Sequence, residues 1–241
     1  MKIQNATALV TGANRGIGRE LVLALLKSGA KRVYAGARDV KTLESIKALD
    51  PVRVIPLHLD VTNQELVNSA VRGAPDVNLL INNAGVLEFG SILDVPMDKV
   101  ARQFGTNFYG KLNMARAFAP VIEANGGGAI VNVLTLVALA SMPGLSTYNA
   151  SKAAAWSMTL SLRATLSGRG IEVFSVFPGA VDTDMLAGVD MPKTSPADIA
   201  AAVMLGVGEG REDIFPDPMS TQLYGAWKQD HKAVEKQFAT M

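Results

Sequence analysis

Short apolar runs alternate along this chain with stretches whose apolar positions recur every three or four residues. Six runs read as strands: ATALVTG (6–12), RVYAGAR (32–38), VRVIPLHLDV (52–61), NLLINNAG (78–85), AIVNVLT (129–135) and IEVFSVFPG (171–179). They are continuous rather than alternating, as expected for parallel strands covered by helices on both faces. Between the first two, GIGRELVLALLKSGA puts Ile17, Leu21 and Leu25 on one helical face and stops at Ser28-Gly29. KTLESIKAL (41–49) reads as a short helix. Thr62 reads as an N-cap whose capping box Glu65 completes. Residues 97–128 read as long and mostly helical, and another helix is expected from Asn149 onward, where alanines cluster. Ser195 with Pro196 marks a further helix start. DIFPDP suggests a short edge strand, and the last twenty or so residues an amphipathic helix. The repeated strand–helix order predicts an α/β fold: a Rossmann-type doubly wound parallel sheet in three αβα layers. No linker or repeat interrupts it. Residues 1–241 read as a single domain, with 180–241 supplying a substrate loop, the edge strand and a C-terminal helix.

Charge and composition narrow the function. The formal net charge is +1, which argues against a nucleic-acid partner or an anionic membrane surface. There is no cysteine, which excludes thiolate metal ligands and fits a reducing compartment; no metal site is expected. MKIQNATALVTGA runs into a strand pattern without a long apolar stretch, so no signal peptide is read. No apolar run is long enough to span a bilayer. The expected location is cytoplasmic.

The first strand ends in TGANRGIG (11–18), with Gly12, Gly16 and Gly18 before a helix. Glycines let the backbone approach a pyrophosphate, and the helix start offers free N–H groups and a positive dipole end. No Lys-Ser/Thr follows, so a Walker-type loop is not indicated. Arg15 is a cation at that positive end, unfavourable unless an anion joins it. At the tip of the second strand, a site for NAD usually carries an acidic residue for the ribose 2′-hydroxyl. Here the tip reads Gly36-Ala37-Arg38. A guanidinium suits a 2′-phosphate, which favours NADP(H) over NAD(H). Two alternatives stand beside this. Both arginines could be solvated surface residues, and Asp39 could reach a ribose hydroxyl, although it also reads as the N-cap of the next helix.

In LSTYNASKAAAW (145–156), Tyr148 and Lys152 stand four residues apart and share a helix face. With the glycine turn and three further elements, this pair makes the chain resemble the short-chain dehydrogenase/reductase family over residues 5 to 185. TGANRGIG looks like its TGxxxGxG cofactor turn, which takes in Asn14 and Ile17. Asn82-Asn83-Ala84-Gly85 looks like its NNAG element, Asp60-Val61 like its adenine-contacting pair, and Tyr148-x-x-x-Lys152 like its catalytic YxxxK. Pro178-Gly179 with Val181 and Thr183 looks like its PGxVxT segment. Asn107 lies where the family places a structural and relay asparagine. One position departs: the family usually has serine thirteen residues before the tyrosine, and here that position is Thr135. Threonine keeps the hydroxyl and adds a methyl group.

The resemblance implies hydride transfer between NADP(H) and a carbonyl or secondary alcohol, with Tyr148 as general acid and base. The ammonium of Lys152 is expected to lower the phenol pKa from about 10. Lys152 would also hold the nicotinamide ribose, Thr135 would bond the substrate oxygen, Asn107 would join a water path, and Thr183 would steady the carboxamide. Leu136, Val137, Met142, Met185 and Leu186 are the candidate substrate contacts. With no lysine or arginine in DTDMLAGVDM, a small or medium apolar substrate is expected, under modest cover from the short loop 184–194. The resemblance also implies a homo-oligomer, dimer or tetramer, joined through the long helices, where Ala153, Ala154 and Ser157 make a small face. Two rival readings are a non-catalytic cofactor-sensing protein on the same fold and a sugar-nucleotide epimerase or dehydratase. The tyrosine–lysine pair argues against the first. The short region after Pro178 argues against the second.

Overall fold

All six apolar runs form strands in a computed structural model that describes residues 1–240. In chain order the elements are β1 (Thr7–Thr11), α1 (Gly16–Lys27), β2 (Arg32–Ala37), a 3₁₀ turn (Val40–Leu43) running into α2 (Glu44–Lys47), β3 (Val54–His58), α3 (Gln64–Gly73) and β4 (Leu79–Asn82). Then come α4 (Met97–Phe104), a π-helical turn (Gly105–Gly110), α5 (Lys111–Ala124), β5 (Gly128–Val133), α6 (Ser146–Leu166) and β6 (Ile171–Val176). The chain continues through α7 (Pro196–Gly208), β7 (Asp213–Ile214), α8 (Pro218–Gln229) and α9 (His231–Phe238). The seven strands form one parallel sheet in the order β3-β2-β1-β4-β5-β6-β7. The order reverses between β1 and β4, and such a switch point opens a crevice at the C-terminal strand ends.

Strand apolarity on both faces has a direct structural reason. Ala8 and Val10 of β1 pack with Leu21 and Leu25 of α1 and with Ile199 and Val203 of α7. Leu9, between them, packs on the opposite side with Val67 of α3 and Met114 and Phe118 of α5. Each of these buried valine, leucine, isoleucine, methionine and phenylalanine side chains contributes about 1.5–3 kcal/mol. Pro56 lies inside β3, which is tolerated because β3 is an edge strand. No helix among the described residues is long and apolar enough to cross a membrane.

The structure corrects several expectations. Asn63, not Thr62, caps α3: its side chain accepts from the Glu65 and Leu66 amides at 2.9 and 3.1 Å. Thr62 is held instead by Asp60, whose Oδ1 accepts its amide at 2.9 Å and its hydroxyl at 2.7 Å, an Asx turn that ends the strand region. The β3 run is correspondingly shorter than 52–61. The long helical stretch is divided by the π turn, which carries Asn107 inward. Helix α6 begins at Ser146, within the stretch LSTYNASKAAAW as the sequence indicates, and carries both Tyr148 and Lys152. The C-terminal segment is two helices: Asp230 adopts an extended conformation and caps α9 through the Lys232 and Ala233 amides, each at 3.0 Å. Ser195 caps α7 with Pro196 following, as the sequence indicates.

A Cβ at Gly18 would lie 2.0 Å from the Gly12 carbonyl oxygen and 2.5 Å from Asn83 Nδ2. The first of these is backbone and cannot swing away. Gly18→Ala is therefore expected to lower the unfolding free energy by about 1–3 kcal/mol, measured by urea denaturation; wild-type stability would mean that the turn is looser than described.

Candidate active site

The site is assembled at the C-terminal ends of β1, β4, β5 and β6. Gly12 and Gly16 adopt left-handed conformations, φ +64° and +52°, which only glycine takes readily. They turn the chain sharply from β1 into α1. Among the described residues no side chain caps α1, so its first N–H groups are left to water or an anion. This turn forms one end of a cavity of about 1300 Å³.

Every residue assigned by sequence to the cofactor lines that cavity: Gly12, Asn14, Arg15, Gly16, Ile17, Gly18, Arg38, Asp60, Val61, Asn83, Ala84, Gly85, Tyr148, Lys152, Pro178, Gly179, Val181 and Thr183. An uncapped helix start, a turn that a Cβ would fill and two arginines fit a phosphate-bearing dinucleotide. Asp39 also borders the cavity, but its side chain accepts the Lys41 amide at 3.0 Å, so it has the capping task foreseen for it. Arg15 pairs with Asp184 at 2.8 Å, both side chains being about 70% exposed. Such an exposed pair contributes roughly 0–1 kcal/mol, little resistance to a competing phosphate.

Helix α6 presents Tyr148 and Lys152 to the middle of the cavity, 7% and 4% exposed. The Lys152 ammonium donates to the Val133 and Leu134 carbonyls at 3.1 and 3.3 Å, at the end of β5. It lies 5.5 Å from the centre of the Tyr148 ring. Burial pushes the Tyr148 phenol above its ordinary value, and the Thr135 hydroxyl opposes this only in part. Burial also lowers Lys152 to about 8. The expectation that the ammonium would depress the phenol is not met. Desolvation dominates because both groups are almost wholly removed from water, and the ammonium is spent on two carbonyls.

Thr135, 7% exposed, lines the cavity beside them. Its hydroxyl makes only long contacts, donating to the Pro178 carbonyl and accepting from the Val137 amide, both at 3.4 Å. Weak partners leave it free to turn toward a ligand. Asn107 is different. It is fully buried and lies behind the cavity wall. Its Oδ1 accepts from the Val86 amide at 2.9 Å, and its Nδ2 donates to the Val86 carbonyl and Ser151 Oγ, each at 2.9 Å. The side chain is thus committed to holding the loop after β4 against α6.

Several supporting residues escaped the sequence reading. Ser151 receives Asn107 and donates to the Tyr148 carbonyl at 2.7 Å. Gln103 donates to Thr147 at 2.6 Å, and Asn132 to Thr159 at 2.9 Å, fastening α6 to α4 and to the sheet. Asp217 is buried; its carboxylate accepts from the Gly179 amide and from the Ser220 amide, both at 2.8 Å. It therefore joins the Pro178-Gly179 turn to the start of α8. The Asp217-Pro218-x-Ser220 capping pattern was a legible signal for this.

Leu136, Val137, Met142, Met185 and Leu186 line the same cavity, as proposed for the substrate end. The cover is more than the short loop 184–194, however. Met219, Leu223 and Phe238 from α8 and α9 close one side, packing with Leu136, Val137 and Tyr148 in one apolar cluster. Sequence pattern alone does not reveal which face of a C-terminal helix meets a site.

Comparison with known proteins agrees with this architecture. The short chain dehydrogenase family model matches residues 6–193. A probable oxidoreductase, EphD, of Mycobacterium bovis is 37% identical over 188 residues, covering 74% of this chain but 31% of that protein; the chain thus spans about a third of that relative's length. An uncharacterized oxidoreductase of Staphylococcus aureus is 32% identical over 212 residues, 84% of this chain and 90% of that one. Among solved structures, a short chain dehydrogenase from Burkholderia cenocepacia in complex with NADP superposes with TM-score 0.93 at 37% identity, covering 99% of each chain. A short chain dehydrogenase/reductase from Burkholderia phymatum in complex with NAD shares the fold, with TM-score 0.87 at 24% identity, covering 98% of this chain and 96% of that one. The glycine turn, the switch-point cavity, the tyrosine–lysine pair on α6 and these likenesses converge: the chain belongs to the short-chain dehydrogenase/reductase family of oxidoreductases.

Proposed function

We propose that this oxidoreductase is an NADP(H)-dependent enzyme that interconverts a carbonyl compound and its secondary alcohol, with Tyr148 as general acid and base. The observation that carries this reading is the placement of the buried Tyr148 hydroxyl and the weakly bonded Thr135 hydroxyl in one cavity with an uncapped, glycine-built helix start. When bound, the dinucleotide supplies or accepts the hydride. Gly12 to Gly18 would hold its pyrophosphate, Arg15 and Arg38 its 2′-phosphate, Asp60 and Val61 its adenine, and Lys152 its nicotinamide ribose. Thr135 and Tyr148 would both donate to the carbonyl oxygen. As that oxygen gains negative charge, Tyr148 transfers its phenolic proton to it. In alcohol oxidation the phenolate takes the alcohol proton back. A phenol held above its ordinary pKa is a fitting donor in the reductive direction and needs help to ionise in the oxidative one.

The substrate end is walled by Leu136, Val137, Met142, Met185, Leu186, Leu223 and Phe238. The nearby cations are already engaged: Lys193 donates to the Leu186 carbonyl, Arg102 pairs with Glu88, and Arg15 with Asp184. An apolar, uncharged carbonyl compound fits these walls. Methionines give adaptable contacts, consistent with more than one substrate. Tyr109 on the π turn and Leu160 on α6, two helical turns after Ala153, are exposed apolar residues, which supports self-association into a dimer or tetramer.

Tyr148→Phe is expected to lower kcat for ketone reduction by at least about 100-fold, followed through NADPH absorbance over a ketone panel; near-wild-type turnover would rule out the acid–base assignment. The cofactor assignment is checked by KM. NADPH should have the lower KM of the two reduced cofactors, and Arg15→Ala with Arg38→Ala should erase the difference, whereas an intrinsic preference for NADH would refute it.

A further inference from the structure

Two buried lysines serve adjacent strands of the sheet in the same way. Lys152 reaches from α6 to the carbonyls at the end of β5. Lys111, at the start of α5, reaches the end of β4, donating to the Asn82 carbonyl at 2.8 Å and the Ala84 carbonyl at 3.3 Å. Lys111 is 2% exposed. Neither lysine has a carboxylate within ion-pair distance among the described residues. The acid–base reading gives Lys152 a task and Lys111 none.

Packing alone does not call for an amine at Lys111. A methionine would fill a similar volume without the cost of burying a polar head. What the amine adds is a grip on the Asn82–Gly85 turn. Thr11 holds the donors of that turn: its hydroxyl oxygen accepts from the Asn83 and Ala84 amides, each at 3.0 Å. Lys111 holds the acceptors. The turn is also confined from the far side, since a Cβ on Gly85 would lie 3.2 Å from Asn107 Oδ1 and 3.5 Å from the Lys152 ammonium. Asn83, Ala84 and Gly85 line the cavity, so a shift of the turn alters the floor on which a dinucleotide lies.

We propose that Lys111 is a positioning residue for the cofactor, fixing the Asn82–Gly85 turn through its two carbonyls so that the turn and Lys152 keep the spacing the dinucleotide requires. This rests on the reading that NADP(H) occupies this end of the cavity. Burial, with the charge of Lys152 as a second cause, pushes Lys111 well below the usual lysine range. It is an N–H donor to the two carbonyls in either protonation state.

The test uses Lys111→Met and Lys111→Gln, the latter keeping an N–H donor. NADPH affinity is read by fluorescence titration, which needs no turnover, alongside KM for NADPH and for a ketone. Lys111→Met should weaken NADPH binding and raise its KM on the order of tenfold or more, with the ketone KM within about twofold of wild type. Lys111→Gln should recover part of the loss. Wild-type NADPH affinity in a folded Lys111→Met protein overturns the proposal. So does an equal rise in both KM values, or a glutamine variant no better than methionine, since either result describes a general packing role. If the methionine variant does not fold, Lys111→Leu, which also lacks a donor, replaces it: weakened NADPH with an unchanged ketone KM supports the proposal, and wild-type affinity overturns it. A wild-type chain that binds no NADPH sinks this proposal and the functional reading together. An active Tyr148→Phe enzyme that binds NADPH sinks only the acid–base role.

Discussion

Desolvation of two polar side chains on one helix is the constraint on which the site depends. Tyr148 and Lys152 sit on α6 almost out of water, and the charged form of each is disfavoured there. The phenol stays protonated and the ammonium gives up its proton more readily, at about 8. Much of the surrounding structure bears on this state. The carbonyls at the end of β5 receive the ammonium, the Thr135 hydroxyl eases the phenol, and α8 and α9 keep water from the ring.

The sheet makes such burial attainable. Parallel strands with apolar residues on both faces give two cores, and the crevice at the switch point lies where four strand ends converge. Neutral hydrogen bonds then fix the helix carrying the chemistry. Asn82 donates to Asn132, Asn132 to Thr159, and Thr159 to the Ala155 carbonyl, so a chain of buried amides and hydroxyls runs from β4 through β5 into α6. Ser151 and Thr147 secure the same helix through Asn107 and Gln103. These bonds are each worth about 1 kcal/mol net. Their larger effect is to leave Tyr148 one position, which the general acid proposed for it needs more than it needs stability.

The parts of this arrangement legible in the sequence were those with short-range signatures. The six strands declared themselves through apolar runs, the phosphate turn through Gly12, Gly16 and Gly18, and the α7 start through Ser195-Pro196. Tyr148 and Lys152 were legible because helical spacing places them together. Lys111 was not, because its partners are carbonyls of Asn82 and Ala84, remote in sequence and silent in composition. The Thr62 cap was misplaced by one residue because Asp60 competes for Thr62, a local contest that propensity does not decide. The pKa direction of Tyr148 was missed for a similar reason: spacing shows that an ammonium is near, but not that burial outweighs it. The division of the C-terminal segment at Asp230 follows from a cap that only the folded chain makes visible.

The central claim is that burial, rather than Lys152, governs Tyr148. Tyrosinate absorbance near 295 nm, titrated against pH for the wild type with the Tyr148→Phe titration subtracted from it, isolates this one phenol. The account predicts no Tyr148 ionisation as pH rises to the ordinary phenol value of about 10. A Tyr148-specific tyrosinate signal emerging near neutral pH in the cofactor-free protein would contradict it.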